Sequence, residues 1–319
     1  MELNRFAKYA WGVLVYNLAV ILWGAYVRAS GSGAGCGDHW PKCNGQIIPR
    51  PEQIETLIEF SHRVTTAFSG VLVIAMVVWA YRAYAKGNPV RQGAVLSFVF
   101  VLAEGLVGAV QVRLGLTGDN ASVGRAVIGS IHLVNTFLLI GAMLLTAWWA
   151  SGGRQLRLRG QGWMGTLLLV GVLLMLLLGA SGAVTALGDT LFPVETLREG
   201  LMQDLDPTAH FMIRLRIYHP MLAIAVGIFT VLLGWLARTY RPSRSTTRLS
   251  YVLTGVFLFQ LVVGAVNVYL LAPIWMQLFH LLMAQVVWLA LVLLGAEVLA
   301  EEPDPAPAAV PAASVARAG

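Results

Sequence analysis

Eight stretches of about twenty mostly apolar residues constrain this chain more than any other feature, because each is long enough to cross the hydrocarbon of a bilayer. They lie at roughly 9–27, 62–81, 94–113, 126–149, 163–187, 212–237, 250–271 and 275–299. Hydrocarbon offers the backbone no hydrogen bonds, so a spanning segment must satisfy its own peptide groups, and stretches of this length do so as helices. Composition agrees: 57% of residues are hydrophobic, 12% are charged and the mean hydropathy is +0.71, values incompatible with a soluble globule. The expected fold is an all-α integral membrane protein with eight transmembrane helices. The first stretch follows a short charged lead without a small-residue cleavage site, which reads as a retained helix and a mature chain beginning near Met1.

Basic residues collect in cytoplasmic connections, and they set the expected orientation. Arg82, Lys86 and Arg91 follow the second stretch, Arg154, Arg157 and Arg159 the fourth, and Arg238, Arg241, Arg244 and Arg248 the sixth. The connections after the first and fifth are longer and acidic, with Glu52, Glu55, Asp189, Glu195, Glu199, Asp204 and Asp206. The reading is a multi-pass protein of the cell membrane with both termini cytoplasmic. The net charge of +6 is then a topology signal, and basic residues so scattered form no nucleic-acid surface. The tail 301–319, rich in Pro and Ala, is expected to be disordered.

The chain repeats itself once. Leu106-Val-Gly-Ala-Val-Gln-Val112 returns as Val262-Val-Gly-Ala-Val-Asn-Val268, Gly24-Ala25 as Gly179-Ala180, and Gly70 as Gly227. His62 returns as His219 and His132 as His280, offsets of 157 and 148. The expected organisation is two tandem, pseudo-two-fold-related four-helix bundles, 1–150 and 162–300, joined by a cytoplasmic linker at 151–161. Units with an even number of spans run parallel, so both would present corresponding sites on one side. Each of the four histidines opens an apolar helix that starts on the outer side, which places all four in the outer half of the bilayer.

Ionisable residues inside a membrane mark functional sites, and neutral imidazole is a common haem ligand. Two histidines per unit, with no cysteine or second carboxylate to complete a tetrahedral zinc site, favour one haem per unit. Gly24, Gly70, Gly108, Gly179, Gly227 and Gly264 lie where helices could part around a flat ring, or equally where they pack closely. Arg28, Arg63, Arg125, Arg214 and Arg216 are candidate partners for haem propionates, with snorkelling to lipid headgroups as the alternative. His39 and His210 fall in polar connections and are not expected to be ligands.

The units differ beside their first histidines. Glu59 stands three residues before His62, on the same helix face, where Arg216 precedes His219. A carboxylate can move protons or stabilise developing positive charge, so chemistry is assigned to the first unit and electron supply to the second; capping or pairing with Arg63 is the alternative for Glu59. In the third stretch, Glu104 is matched by Gln260. Cys36 and Cys43 share the first outward connection, an oxidising place, and read as a disulfide, either a staple or a redox pair in exchange with an external thiol carrier.

Arg28-Ala-Ser-Gly-Ser-Gly with Cys36, Trp40-Pro41, Cys43-Asn-Gly-Gln and Pro49, then Glu59-Phe-Ser-His62-Arg63, His132, His219-Pro220 and His280, resembles the haem A synthase family, in its cysteine-containing bacterial branch. The resemblance runs from about residue 10 to residue 297. It implies oxidation of the C8 methyl group of haem O to a formyl group, giving haem A for terminal oxidases. It also implies a haem B cofactor on His219 and His280, a substrate haem on His62 and His132 with Glu59 as the catalytic carboxylate, and haem O synthase as the upstream partner. The chain departs from a fully symmetric pattern in Ala186-Leu-Gly-Asp-Thr-Leu-Phe-Pro193, which lacks cysteines. Electrons must arrive from a donor outside the chain, a quinol or a thiol carrier, and a homo-oligomer in the bilayer is compatible with the sequence. A dihaem electron carrier for quinol oxidation and a haem transporter or chaperone without chemistry are the rival classes; the former usually spreads its haems towards opposite faces.

Overall fold

The structure is a computed structural model that describes residues 3–50 and 53–300; Glu52 and the tail 301–319 lie outside the described residues. It contains ten α-helices and, among the described residues, no strand: α1 (Arg5–Ala29), α2 (Ile54–Ala83), α3 (Pro89–Arg113), α4 (Val123–Ala150), α5 (Gly162–Leu191), α6 (Leu197–Leu205), α7 (Phe211–Arg216), α8 (Tyr218–Tyr240), α9 (Arg244–Tyr269) and α10 (Ile274–Val298). Eight spans are long and apolar enough to cross a membrane, with α7 and α8 together forming the sixth, Phe211–Tyr240. All eight expected stretches are present.

The helix starts have local causes. Asn4, Asn88, Ser122 and Ser243 accept hydrogen bonds from the otherwise unpaired first-turn N–H groups of α1, α3, α4 and α9. The α7–α8 break at Ile217 falls just before His219-Pro220. Proline at 220 has no N–H for the Arg216 carbonyl, and its ring crowds that carbonyl, so the ladder breaks there. The span continues beyond the break as α8.

Around the first four spans, α1 packs on α2, α2 on α3, α3 on α4 and α4 back on α1. Around the last four, α5 packs on α8, α8 on α9, α9 on α10 and α10 back on α5, while α1 and α4 touch α5 and α10. The buried cluster runs continuously through these contacts, from Phe6 and Leu14 through Met76, Ile140 and Met143 to Leu233, Phe257, Leu291 and Leu294. The opposite faces carry exposed apolar stripes at helical spacing: Val71, Ile74 and Val78 on α2, Leu169, Leu173 and Leu177 on α5, and Ile224, Ile228 and Leu232 on α8. Such stripes around a bundle suit lipid rather than water. The protein is a multi-pass membrane protein.

The helices begin earlier than their apolar stretches. His62 comes eight residues after the start of α2, His132 nine after the start of α4, and His280 six after the start of α10. His62 and His132 therefore sit more than two turns inside their helices, and His280 between one and two turns.

Candidate functional site

Three histidine rings lie directly over a glycine of a neighbouring helix. A Cβ at Gly24 in α1 would stand 2.8 Å from His62 Cε1, one at Gly182 in α5 would stand 3.0 Å from His219 Cε1, and one at Gly264 in α9 would stand 3.1 Å from His280 Cε1. These glycines let an imidazole occupy space that any other residue would fill. Gly182, not Gly179, is therefore the counterpart of Gly24; sequence reasoning missed it because the Gly-Ala pair occurs twice within five residues of α5. Gly179 and Gly227 instead face the rings of Phe137 and Phe257, and Gly70 and Gly108 face nothing within 4 Å.

In the last four spans, the rings of His219 and His280 stand 6.4 Å apart between centroids at an interplanar angle of 77°. That separation is about the size expected for two imidazoles that would share one metal ion at about 2 Å each, which makes His219 and His280 the residues that could hold one. Ser181 Oγ lies 2.8 Å from His219 Nδ1. With the hydroxyl accepting from Nδ1–H, Nε2 presents its lone pair, the usual outer support of a metal-binding histidine. The Gln260 amide reaches His280 at 3.2 Å from Nδ1 and 3.3 Å from Nε2 and also donates to the His280 carbonyl. The buried Gln260 Oε1 and Asn267 Oδ1 have no partner among the described residues.

The first four spans are built differently around the matching pair. His132 Nε2 is 2.5 Å from Glu104 Oε2, and its Nδ1 is 3.0 Å from Gln111 Oε1. Thr136 donates to Glu104 Oε1 at 2.8 Å and fixes the carboxylate. His62 Nδ1 is buried without a partner, since position 181 in the repeat is a serine and its counterpart, Trp23, donates instead to Ser61. Among the described residues no three His, Cys, Asp or Glu side chains are grouped to hold a metal ion.

Glu59 is buried and faces the cysteine connection. Its Oε2 accepts from the Cys36 N–H at 2.8 Å, and its Oε1 accepts from Arg63 Nε at 3.1 Å and Nη2 at 2.5 Å. Arg63 Nη1 donates further to the carbonyls of His39 and Lys42, at 2.6 and 2.8 Å, and Arg113 donates to the Trp40 carbonyl at 2.9 Å. Cys36 and Cys43 form the expected disulfide, and both are buried. Exchange with an outside thiol therefore requires this connection to open, because access limits exchange.

The arginines expected to meet propionates are mostly committed to the protein. Arg28 crosses from α1 to the Ala186 carbonyl and Thr190 hydroxyl of α5 and to Gln277 of α10. Arg125 donates to the carbonyls of Gly118 and Asn120. Arg216 is buried between Asp189 and Asp204, with ion-pair distances of 3.3 and 3.0 Å. Arg214 is exposed. The expected contrast of a carboxylate in one unit and none in the other is thereby corrected. Each has an arginine–carboxylate pair near its first histidine: Glu59–Arg63 on one helix, and Arg216 with acids from α5 and α6 on the far side of the Ile217 break.

Fold and site together define a class: a polytopic helical membrane protein with paired intramembrane histidines. A family model for cytochrome oxidase assembly proteins, COX15-CtaA, matches residues 7–292. The chain belongs to this family, the haem A synthase family. It is 53% identical over 296 residues, 93% of its length, to a protein of Thermus thermophilus named protoheme IX farnesyltransferase, of which it covers 49%. It is 40% identical over 116 residues, 35% of its length, to the heme A synthase of Bacillus mycoides, of which that match covers 37%. The chain thus spans about half the length of the first of these relatives.

Proposed function

We propose that this chain oxidises the C8 methyl group of haem O to a formyl group, giving haem A for terminal oxidases. The observation that carries the reading is the pair of two-histidine sites on matching helices of a haem A synthase family member, unlike in their surroundings. Haem B, when bound between His219 and His280, supplies a one-electron relay. Ser181 fixes the His219 ring for that role, and Gly182 and Gly264 leave the space that both rings require.

His62 and His132 would hold the substrate haem. Conversion of the methyl to a formyl group is two successive hydroxylations; each removes two electrons and two protons from the carbon and one water and adds one oxygen, and the resulting geminal diol loses water. The four electrons, two per hydroxylation, leave to an oxidant outside the chain, of the quinone or disulfide class, so that the external partner acts here as an acceptor. Two histidines on one iron leave no position for O₂, which favours capture of the oxidised carbon by water. Glu59, aimed by the Cys36 N–H and Arg63, is the carboxylate assigned to take the proton from that water. The site side of the bilayer is the outer one by the distribution of basic residues.

Farnesyl transfer to protohaem is a second reading, favoured by the names of the Thermus relatives, although this chain corresponds to only half of them. Extraction of haems from membranes expressing the chain, separated by chromatography and identified by mass, distinguishes the two. With a haem O source beside it, the chain should give haem A or its hydroxylated intermediate. Haem O unchanged under adequate oxygen would overturn the synthase, and haem O made from haem B where no other source exists would establish the transferase.

A further inference from the structure

Each ring nitrogen of His132 already has a side-chain partner of its own, and this holds for no other histidine of the two pairs. Nε2 meets the Glu104 carboxylate at 2.5 Å and Nδ1 meets the Gln111 amide at 3.0 Å. The repeat puts Gln260 where Glu104 stands and Asn267 where Gln111 stands. The shorter Asn267 leaves its oxygen without a partner, and Gln260 offers His280 only a neutral amide at 3.2–3.3 Å. A charge-assisted hydrogen bond is about twice as strong as a neutral one. The histidine of the first four spans thus has a strong alternative to iron, and that of the last four does not.

We propose that Glu104 is a positioning residue that takes over His132 Nε2 whenever iron leaves it, making the first pair a site that empties and refills while the second keeps its haem. This rests on the assignment of substrate to the first pair: a site that receives substrate and gives up product must empty in every cycle, and a cofactor site need not. His132 carries one proton throughout. With iron absent, the proton sits on Nε2 and is donated to Glu104, and Nδ1 accepts from the Gln111 amide nitrogen after an amide flip. With Nε2 on iron, the proton sits on Nδ1 and is donated to Gln111 Oε1. Only the tautomer changes, and Gln111 serves both states because its amide presents a donor and an acceptor. Thr136 holds Glu104 in place for the exchange.

The test uses the full chain in detergent, loaded with haem and mixed with excess apomyoglobin, with haem transfer followed by absorbance. Two phases are expected, the faster one lost in His132→Ala. Glu104→Gln should slow the fast phase by about tenfold, the difference between a charged and a neutral hydrogen bond, and leave the slow phase unchanged. Gln260→Glu should accelerate the slow phase by a similar factor. A fast phase in Glu104→Gln at or above the wild-type rate overturns the proposal; should that variant not accumulate, an unaltered slow phase in Gln260→Glu overturns it instead. Absence of any haem on His62 and His132 in the wild-type chain would instead contradict the substrate assignment on which the proposal rests.

Discussion

A single carboxylate carries the chemical claim at the scale of residues. Glu59 is held by three donors, Cys36 N–H and two nitrogens of Arg63. Glutamine at this position keeps the size and one acceptor but cannot take a proton from water. Glu59→Gln is expected to retain normal haem content and lose about 100-fold in haem A formation, the usual weight of one general base; full formation with normal haem would remove Glu59 from the chemistry. The histidines were legible because imidazole is rare in an apolar span and its recurrence across a repeat is rarer still. Their partners were less so. Glu104 and Gln260 can be matched by offset, but the meeting of Glu104 with His132 depends on how α3 is rotated against α4, which no local pattern encodes. The five arginines show the same limit: position near the expected site was readable, while the carbonyls and aspartates that occupy Arg28, Arg125 and Arg216 come from distant segments.

At the scale of elements, hydropathy located every span but not its ends. The segment 54–61 carries Glu55 and Glu59, which lower its hydropathy although α2 already runs through it. Arg244 and Arg248 hide the start of α9 in the same way. The nine-residue α6 escaped because it has no apolar stretch, and the α7–α8 break because its cause, Pro220, sits three residues beyond it. Glycines divide by what they face. Gly24→Val would drive a side chain into the His62 ring, where even a Cβ stands at 2.8 Å, whereas Gly70 faces nothing within 4 Å. Gly24→Val should therefore lose haem from the first pair and keep the haem on His219 and His280, with Gly70→Ala as wild type, measured as haem per chain and by the absorption of each population. Equal haem loss in both variants would mean that these glycines act through general helix packing.

Across the whole molecule, the eight spans were legible, and α1 and α4 pack against α5 and α10 as well as against their neighbours in sequence. The cross-connections could not be read in advance: Arg28 reaching α5 and α10, and Trp288 Nε1 donating to the Phe137 carbonyl at 2.6 Å while their rings stack at 5.6 Å. These join segments more than 140 residues apart, beyond any local periodicity. The central claim is that the chain itself performs the oxidation, and turnover by the purified protein tests it most directly. Full-length chain in detergent, given haem O and a redox partner, is followed by chromatography and mass of the extracted haem. Formation of the C8 alcohol and then haem A, abolished in His62→Ala and in His219→Ala, is the predicted result. Tight binding of haem O with no product under any redox partner would contradict it and make the protein a carrier.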